Sequence, residues 1–545
     1  MNPIFYPKLF SVLRQGYSRQ QFTKDAFAGI IVGIVALPLA IAFAVASGVS
    51  PEKGLITAIV AGVLISLLGG SRVQIGGPTG AFIVIVYGIV QAYGLDGLII
   101  STILAGVMMI IMGLLKLGSL LKFIPHPLIV GFTSGIALTI FSTQINDALG
   151  MGIGNIPSDF IEKWSAYISN IGNINPVAVI VTVATIVISV GFKKITTKIP
   201  GSFIAILIVT AVVQIFDLQI ATIESVFGNI PKSFSLTFPS FDFSRMHEYF
   251  APALTIALLG GIESLLSAVV ADGMISGNHR SNTELIAQGV ANVVTPFFGG
   301  IPATGAIART ATNVKNGGRT PVAGIVHAFT LLFIMLFFGQ WAKLIPMACL
   351  AGILIVVSYN MSEWFSFVTI LKGSRFDVLV LLVTFFLTVL VDLTFAIEIG
   401  IVLSSLLFMK RMADAGSRTV TDIDSDVLEN YSGLPKELGI YEISGPFFFA
   451  SAKQYRSTIK SVGTSSKVLI LRMRHVPFID STGLHNLKDV VKEIRHSGTE
   501  VVLSGVQPAV LNELERANFF NLTERQNVLP SFDQALKRAL DLLKK

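Results

Sequence analysis

The chain has 545 residues, 52% hydrophobic and only 13% charged, with a formal net charge of +7. Soluble domains carry roughly 25% charged residues, so the composition excludes an ordinary globular protein and fits a polytopic membrane protein. The charge is uneven: residues 413 to 545 hold 17 Lys+Arg and 16 Asp+Glu, which leaves 23 and 17 for the first 412. The tail thus has the balance of a soluble domain. The basic excess belongs to the membrane part, not to the clustered basic surface that a nucleic-acid partner needs.

Residues 1 to 24 are too polar for the apolar region of a signal peptide, so the first apolar segment is expected to be retained. Fourteen apolar segments follow, near 25 to 47, 54 to 70, 76 to 92, 98 to 120, 127 to 146, 176 to 192, 200 to 216, 251 to 271, 285 to 298, 303 to 314, 320 to 340, 344 to 360, 376 to 391 and 393 to 409. Several are shorter than the roughly 20 residues of a straight spanning helix.

The third and tenth segments are broken by glycine and proline: Gly76-Gly77-Pro78-Thr79-Gly80-Ala81-Phe82 and Gly299-Gly300-Ile301-Pro302-Ala303-Thr304-Gly305-Ala306-Ile307. Pro near a first helical turn loses no useful donor, and Gly lets backbone N–H groups approach a ligand. Each segment therefore reads as the start of a half-helix aimed at an anion; two kinks in packed helices are the plainer alternative. A matched interrupted pair in two halves of a membrane protein points to a transporter's central site. Segments one and eight precede the broken ones by similar distances, so the chain reads as two seven-segment repeats. An odd number per repeat inverts their topologies, and the midpoint falls in the polar stretch 217 to 250.

With a cytoplasmic N-terminus, seventeen Lys and Arg fall in inner loops, against only Lys53, Lys163, Lys232, Arg245 and Lys343 outside. By the positive-inside rule both termini are then cytoplasmic. Ionisable residues within apolar segments are functional candidates, because isolated charge at the bilayer centre is costly. Glu263 follows Gly260 and Gly261, with Ser267 one turn on. Removal from water favours a neutral carboxyl, so Glu263 could hold a proton in one state and release it in another; a permanent pair with Arg309 is the alternative. Arg309, about two turns past Pro302, would put positive potential behind the anion site. Asp392 and Glu398, near the last turn, read as structural. His126, His247, His279 and His327 are scattered, so no metal site is expected, and the single cysteine, Cys349, reads as a small core residue.

After a polar linker, 413 to 438, the tail alternates short strands (439 to 444, 467 to 473, 500 to 504) with amphipathic helices (451 to 462, 482 to 496, 508 to 517), which makes a small α/β domain over 439 to 545. Asp480-Ser481-Thr482-Gly483 lies at a strand-to-helix junction. It reads either as plain capping or as a phosphorylation switch at Ser481 or Thr482.

Over nearly its whole length the chain resembles the SulP (sulfate permease) family of anion transporters. The residues that carry the likeness are Gly33 to Pro38, Gly48-Val49-Ser50-Pro51, Gly76 to Ala81, Glu263-Ser264-Leu265-Leu266 through Ala271-Asp272-Gly273-Met274, Asn282 to Asn292, and Pro302 to Asn313 with Gly317-Gly318-Arg319-Thr320-Pro321. The resemblance implies a polytopic α-helical membrane protein of 14 segments as 7+7 inverted repeats with two half-helices, spanning 25 to 412, plus a cytoplasmic α/β STAS domain. Ile262 to Leu266, Ala306-Ile307-Ala308-Arg309 and Asn360-Met361-Ser362-Glu363 look most like the bacterial branch that takes up C4-dicarboxylates with protons across the inner membrane; relatives of similar wording carry sulfate or bicarbonate.

The family resemblance further implies an elevator mechanism, with segments one to four and eight to eleven moving, and a homodimer. It places anion recognition at Thr79, Gly80 and Ala81 facing Ala306 and Ile307. Phe43 matches an aromatic that borders the site in relatives, although a lone Phe can simply be packing. In the sodium-coupled bicarbonate branch the Glu263 position tends to be aspartate, and the Ser267 and Ile307 positions carry hydroxyls. This chain has glutamate and isoleucine at two of the three, so protons are favoured over sodium. The expected function is secondary active uptake of a small oxyanion, with no enzyme activity and no cofactor; an uncoupled channel and a membrane-anchored STAS regulatory protein are the alternatives.

Overall fold

The computed structural model describes residues 6–119, 125–154, 156–157, 159–194, 201–228, 236, 246–391, 393–417 and 434–544. Most of the linker expected at 413 to 438, much of the mid-chain polar stretch, and Asp392 lie outside the described residues. The chain forms two compact units, Met1–Ile401 and Val402–Lys545.

The first unit is helical: α1 Lys8–Arg14, α2 Arg19–Ala46, α3 Pro51–Leu68, α4 Ile83–Leu114, α5 His126–Leu149, α6 Phe160–Ser169, α7 Pro176–Gly191, α8 Gly201–Ile215, α9 Ile223–Phe227, α10 Met246–Ile275, α11 Ser281–Val294, α12 Ile307–Lys315, α13 Val322–Ala342, α14 Met347–Met361, α15 Trp364–Leu371 and α16 Arg375–Leu390; α17 Leu393–Ser417 carries the chain into the second unit. Among the described residues, seven helices are long and apolar enough to cross a membrane. The expected third and fourth segments are two helical stretches within α4, separated at Gly94, whose φ of 69° and ψ of −170° break the helix and whose positive φ glycine tolerates. The tenth begins at Ile307 rather than 303, because the residues before it are extended.

Helices pack in two groups. One joins α4 to α10 and α11, and α13 to α2 and α3; the other joins α5 to α14 and α16, and α7 to α8 and α14. Without a hydrophobic drive between helices in lipid, close contact relies on small residues. Where α4 crosses α11, a Cβ on Gly106 would meet the Gly289 carbonyl at 2.6 Å, and one on Gly289 would meet the Gly106 carbonyl at 2.5 Å. Cys349 is buried and unbridged in this packing.

Two two-residue strands, β1 Gly76–Gly77 and β2 Thr304–Gly305, pair antiparallel with Gly76 opposite Gly305 and Gly77 opposite Thr304. This ladder lies immediately before the two half-helices and fixes where both begin.

The second unit is α/β. Strands β3 Leu438–Ser444, β4 Val468–His475, β5 Glu500–Ser504 and β6 Val528–Leu529 form a parallel sheet in the order β3-β4-β5-β6. Helices α18 Phe449–Thr464, α19 Ser481–His496, α20 Pro508–Arg516 and α21 Phe532–Leu543 accompany it. The sheet has apolar packing on both faces, as parallel sheets require: Leu469, Leu471, Val501 and Leu503 join one cluster and Val468, Ile470 and Val502 another. The last strand and α21 were not anticipated. Arg472, nearly buried, explains part of their docking: it pairs with Glu442 at 3.1 Å and stacks its guanidinium 4.7 Å from the Phe532 ring centroid.

Candidate functional site

Each half-helix leaves the ladder within two residues of it. On one side Thr79 is extended, Gly80–Phe82 makes a tight turn, and α4 follows. On the other Ala306 is extended and α12 follows. The first N–H groups of a helix lack intrahelical acceptors, and the two macrodipoles present their positive ends here. The amides of Gly80 and Ala81 have no acceptor among the described residues, nor do those of Ile307 and Ala308. Ala306 differs: its N–H already donates to the Ile75 carbonyl at 2.8 Å, so on this side free amides start at Ile307. What Ala306 supplies is a small buried side chain.

The ladder is held by single polar side chains reaching backbone groups of other elements. Gln74 Nε2 donates to the Ser264 carbonyl and lies at the same 3.0 Å from its hydroxyl. Thr304 donates to the Gly260 carbonyl at 2.8 Å. Asn292 donates to the Ala303 carbonyl at 2.8 Å and accepts from its N–H at 2.9 Å. The Ile75 N–H donates to Thr310 Oγ1 at 3.0 Å, and Ser267 lies 3.3 Å from the same hydroxyl. Gln74 and Thr304 therefore pin α10 on either side of Glu263 and set its carboxyl at the first half-helix.

Glu263 Oε2 lies 2.9 Å from Thr79 Oγ1. Arg309 does not pair with it. The guanidinium is 2% exposed and turns to the broken segment, donating to the Pro78 carbonyl at 3.0 Å, while its other terminal nitrogen has no hydrogen-bond partner among the described residues. Arg309 thus supports the bend before Thr79 from behind. Thr79, Gly80, Ala81 and Ala306 are buried, whereas Ile307 is 39% exposed, so the site is open from the α12 side. Phe43 is buried in the apolar cluster that also holds Ala81 and Phe82. Met361, at the end of α14, covers Gly80: a Cβ there would meet its sulfur at 2.8 Å.

Glu284, fully buried on α11, was also missed. It accepts from the N–H groups of Gly70 and Ser71 at 2.8 and 3.0 Å and from Gln288 at 2.9 Å, which fixes the loop leading to β1. Among the described residues no cluster of three or more His, Cys, Asp or Glu is placed to hold a metal. In the second unit Asp480 caps α19, accepting from Gly483 N–H at 2.7 Å and Phe449 N–H at 3.0 Å, and leaves Ser481 and Thr482 exposed in the first turn.

The ladder yields a direct prediction. A Cβ on Gly305 would meet Gln74 Nε2 at 1.5 Å, so Gly305→Ala must expel the amide and break its bonds to Ser264. We expect a loss of about 3 kcal/mol of stability from overpacking and unpaired polar groups, read as a lowered Tm in detergent. Gly339→Ala, where a Cβ meets nothing within 4 Å, should leave Tm unchanged.

Comparison with known proteins agrees with this architecture. The family described as "Sulfate permease family" matches residues 22–384, and the STAS domain matches 431–535. A Bacillus subtilis (strain 168) protein named "Putative sulfate transporter YvdB" is 42% identical, over 96% of this chain and 99% of its own. The "Bicarbonate transporter BicA" of Picosynechococcus sp. (strain ATCC 27264 / PCC 7002 / PR-6) is 31% identical, over 95% and 94%. Among solved structures, the transmembrane domain of a cyanobacterial BicA superposes with a TM-score of 0.64 at 31% identity, covering 70% of this chain and 98% of that one. SLC26A9 shares the fold, with a TM-score of 0.88 at 18% identity over 98% and 92%. The chain belongs to the sulfate permease family of membrane anion transporters.

Proposed function

We propose that this anion transporter is a proton-coupled symporter of a small oxyanion (a C4-dicarboxylate, sulfate or bicarbonate) that moves its cargo by an elevator motion. The observation that carries the coupling is the bond between Glu263 and Thr79 at the first half-helix tip. An ionised Glu263 can only accept, so it holds the Thr79 hydroxyl hydrogen and adds negative charge beside the site. Once protonated, it donates to Thr79 Oγ1 instead. The Thr79 hydroxyl is then free to donate to an anion, together with the Gly80, Ala81 and Ile307 amides. Proton and anion thus favour each other's binding. The two packing groups support an elevator, with α2, α3, α4 and α10 to α13 as the moving body and α5, α7, α8, α14 and α16 as the scaffold. Both termini are assigned to the cytoplasm of a bacterial inner membrane, and the assembly to a homodimer.

Sodium-coupled bicarbonate uptake is the second reading. In its favour are the likeness to the cyanobacterial bicarbonate transporters and the hydroxyl of Ser267, one turn beyond Glu263, with that of Thr310 on α12 at 3.3 Å from it. Uptake of labelled sulfate, succinate and bicarbonate into proteoliposomes, with proton and sodium gradients imposed separately, decides between them. The proposal requires uptake that follows the proton gradient. Thr79→Val, which removes only the hydroxyl, should lower anion affinity about tenfold, the worth of one hydrogen bond to a charged group. An unchanged affinity would count against the relay.

The STAS domain is assigned a regulatory part. A chain ending after Gly416 should show a lower rate or expression with the same order of competing anions, and a changed order would refute this. Ser481 and Thr482 are its exposed candidates for phosphorylation, which mass spectrometry of protein from cells would show.

A further inference from the structure

A cavity of about 460 Å³ lies between the C-terminal ends of α2 and α5, the segment that follows α5, and the start of α14. On the orientation proposed above this is the outer side. Lys163 of α6 lines it and is 2% exposed, yet among the described residues its ammonium has no hydrogen-bond or ion-pair partner. The charge that acts on it is Asp159, one turn earlier. Asp159 is itself exposed and already engaged as the helix cap, accepting from the Ile161 and Glu162 N–H groups at 2.9 and 3.0 Å.

An ammonium drawn out of water is costly without a close counter-ion, and among the described residues the one charge acting on it, Asp159, is already engaged as a helix cap. Burial lowers the Lys163 pKa from the ordinary lysine value. Asp147 lines the same cavity but pairs with the Asn146 amide at 3.2 Å, and no ion pair joins it to Lys163. The Tyr87 hydroxyl donates to the Ile156 carbonyl. Nor can α6 swing away. Trp164 Nε1 and the Tyr167 hydroxyl both donate to Ser142 of α5, at 3.1 and 2.9 Å, which locks the turn that carries Lys163. The Asn175 side chain also lines the cavity; its oxygen accepts from the Val177 N–H at 2.9 Å and caps α7, and its amide nitrogen has no acceptor among the described residues.

We propose that this cavity is a second anion-binding site, in which the Lys163 ammonium, assisted by the Asn175 amide, pairs with a small oxyanion on the outer side before it reaches the half-helix tips. The inference rests on the transport reading for its sidedness only.

Two measurements on the full chain test it. In right-side-out proteoliposomes, Lys163→Gln should raise the external sulfate concentration for half-maximal uptake about tenfold, the value of one charge-assisted contact. The concentration for half-maximal efflux from inside should stay unchanged, and Lys163→Arg should restore the external value. Equal changes at both faces, or no change, would overturn the outer site. The second measurement does not depend on transport: an amine-acetylating reagent is applied to the wild-type chain, and modification of Lys163 is followed by mass spectrometry. Sulfate, bicarbonate or succinate should slow the reaction, chloride at equal ionic strength should not, and the protection should persist in Thr79→Val. Absence of protection by all three anions, or equal protection by chloride, would overturn the proposal. Protection without any transport would instead fail the transport reading and leave the cavity site standing.

Discussion

Glu263→Gln is expected to abolish pH-driven accumulation while leaving anion binding and exchange intact. Glutamine is neutral at every pH and keeps a donor and an acceptor, so its amide can donate to Thr79 Oγ1 as a protonated Glu263 would. The half-helix tip is then fixed in its anion-accepting form, and the route by which a proton gradient does work is gone. With the membrane potential clamped at zero, one pH unit supports about tenfold accumulation for each coupled proton. The wild type should approach that ratio, and Glu263→Gln should stop near equal concentrations inside and out. Counterflow of labelled anion at symmetric pH should survive in the variant. Loss of both activities would mean that Glu263 is needed for the fold of the site rather than for coupling.

Arg309→Ala is expected to cost both stability and selectivity. The Pro78 carbonyl would lose a charged donor, and the buried side chain would leave a cavity; together these amount to about 3 kcal/mol or more. The sequence reading gave Arg309 the role of putting positive potential behind the anion site. Its burial against the bend makes it a support as well. Arg309→Lys separates the two parts: it keeps the charge but loses the planar fork. At a separation of roughly 8 Å and an effective dielectric of about 20, one positive charge contributes about 2 kcal/mol per unit of anion charge. Affinity in a folded Arg309→Ala protein should therefore fall about 30-fold for a monovalent anion and about 1000-fold for a divalent one. Equal losses for both would show that Arg309 acts only by holding the bend.

The half-helices were legible because glycine and proline mark them: Pro78 and Pro302 cannot continue a regular helix, and Gly77 and Gly80 allow close backbone approach. The ladder between them was not. Two residues per strand are too few to show an alternating pattern, and the pairing joins positions more than 220 residues apart. Nor were Gln74, Asn292 and Thr304 legible as a group. Each is a lone polar residue whose partner is a backbone carbonyl 190, 11 and 44 residues away respectively, and nothing in the local pattern announces such a partner. Glu284 was within reach, since it stands one residue before an apolar segment, where a carboxylate drawn out of water needs a partner. Helix α21 was also within reach: Phe532, Ala535, Leu536, Ala539, Leu540 and Leu543 recur at helical spacing along one face.

Glu263 as the carrier of a coupled proton is the central claim, and the pH inside sealed proteoliposomes tests it most directly. With a pH-sensitive dye trapped inside at symmetric starting pH, and sodium absent, addition of external anion should acidify the lumen at the rate at which labelled anion enters; Glu263→Gln vesicles should take up anion by exchange without acidifying. Anion entry into wild-type vesicles with no change in internal pH, or entry that begins only when sodium is added, would contradict it.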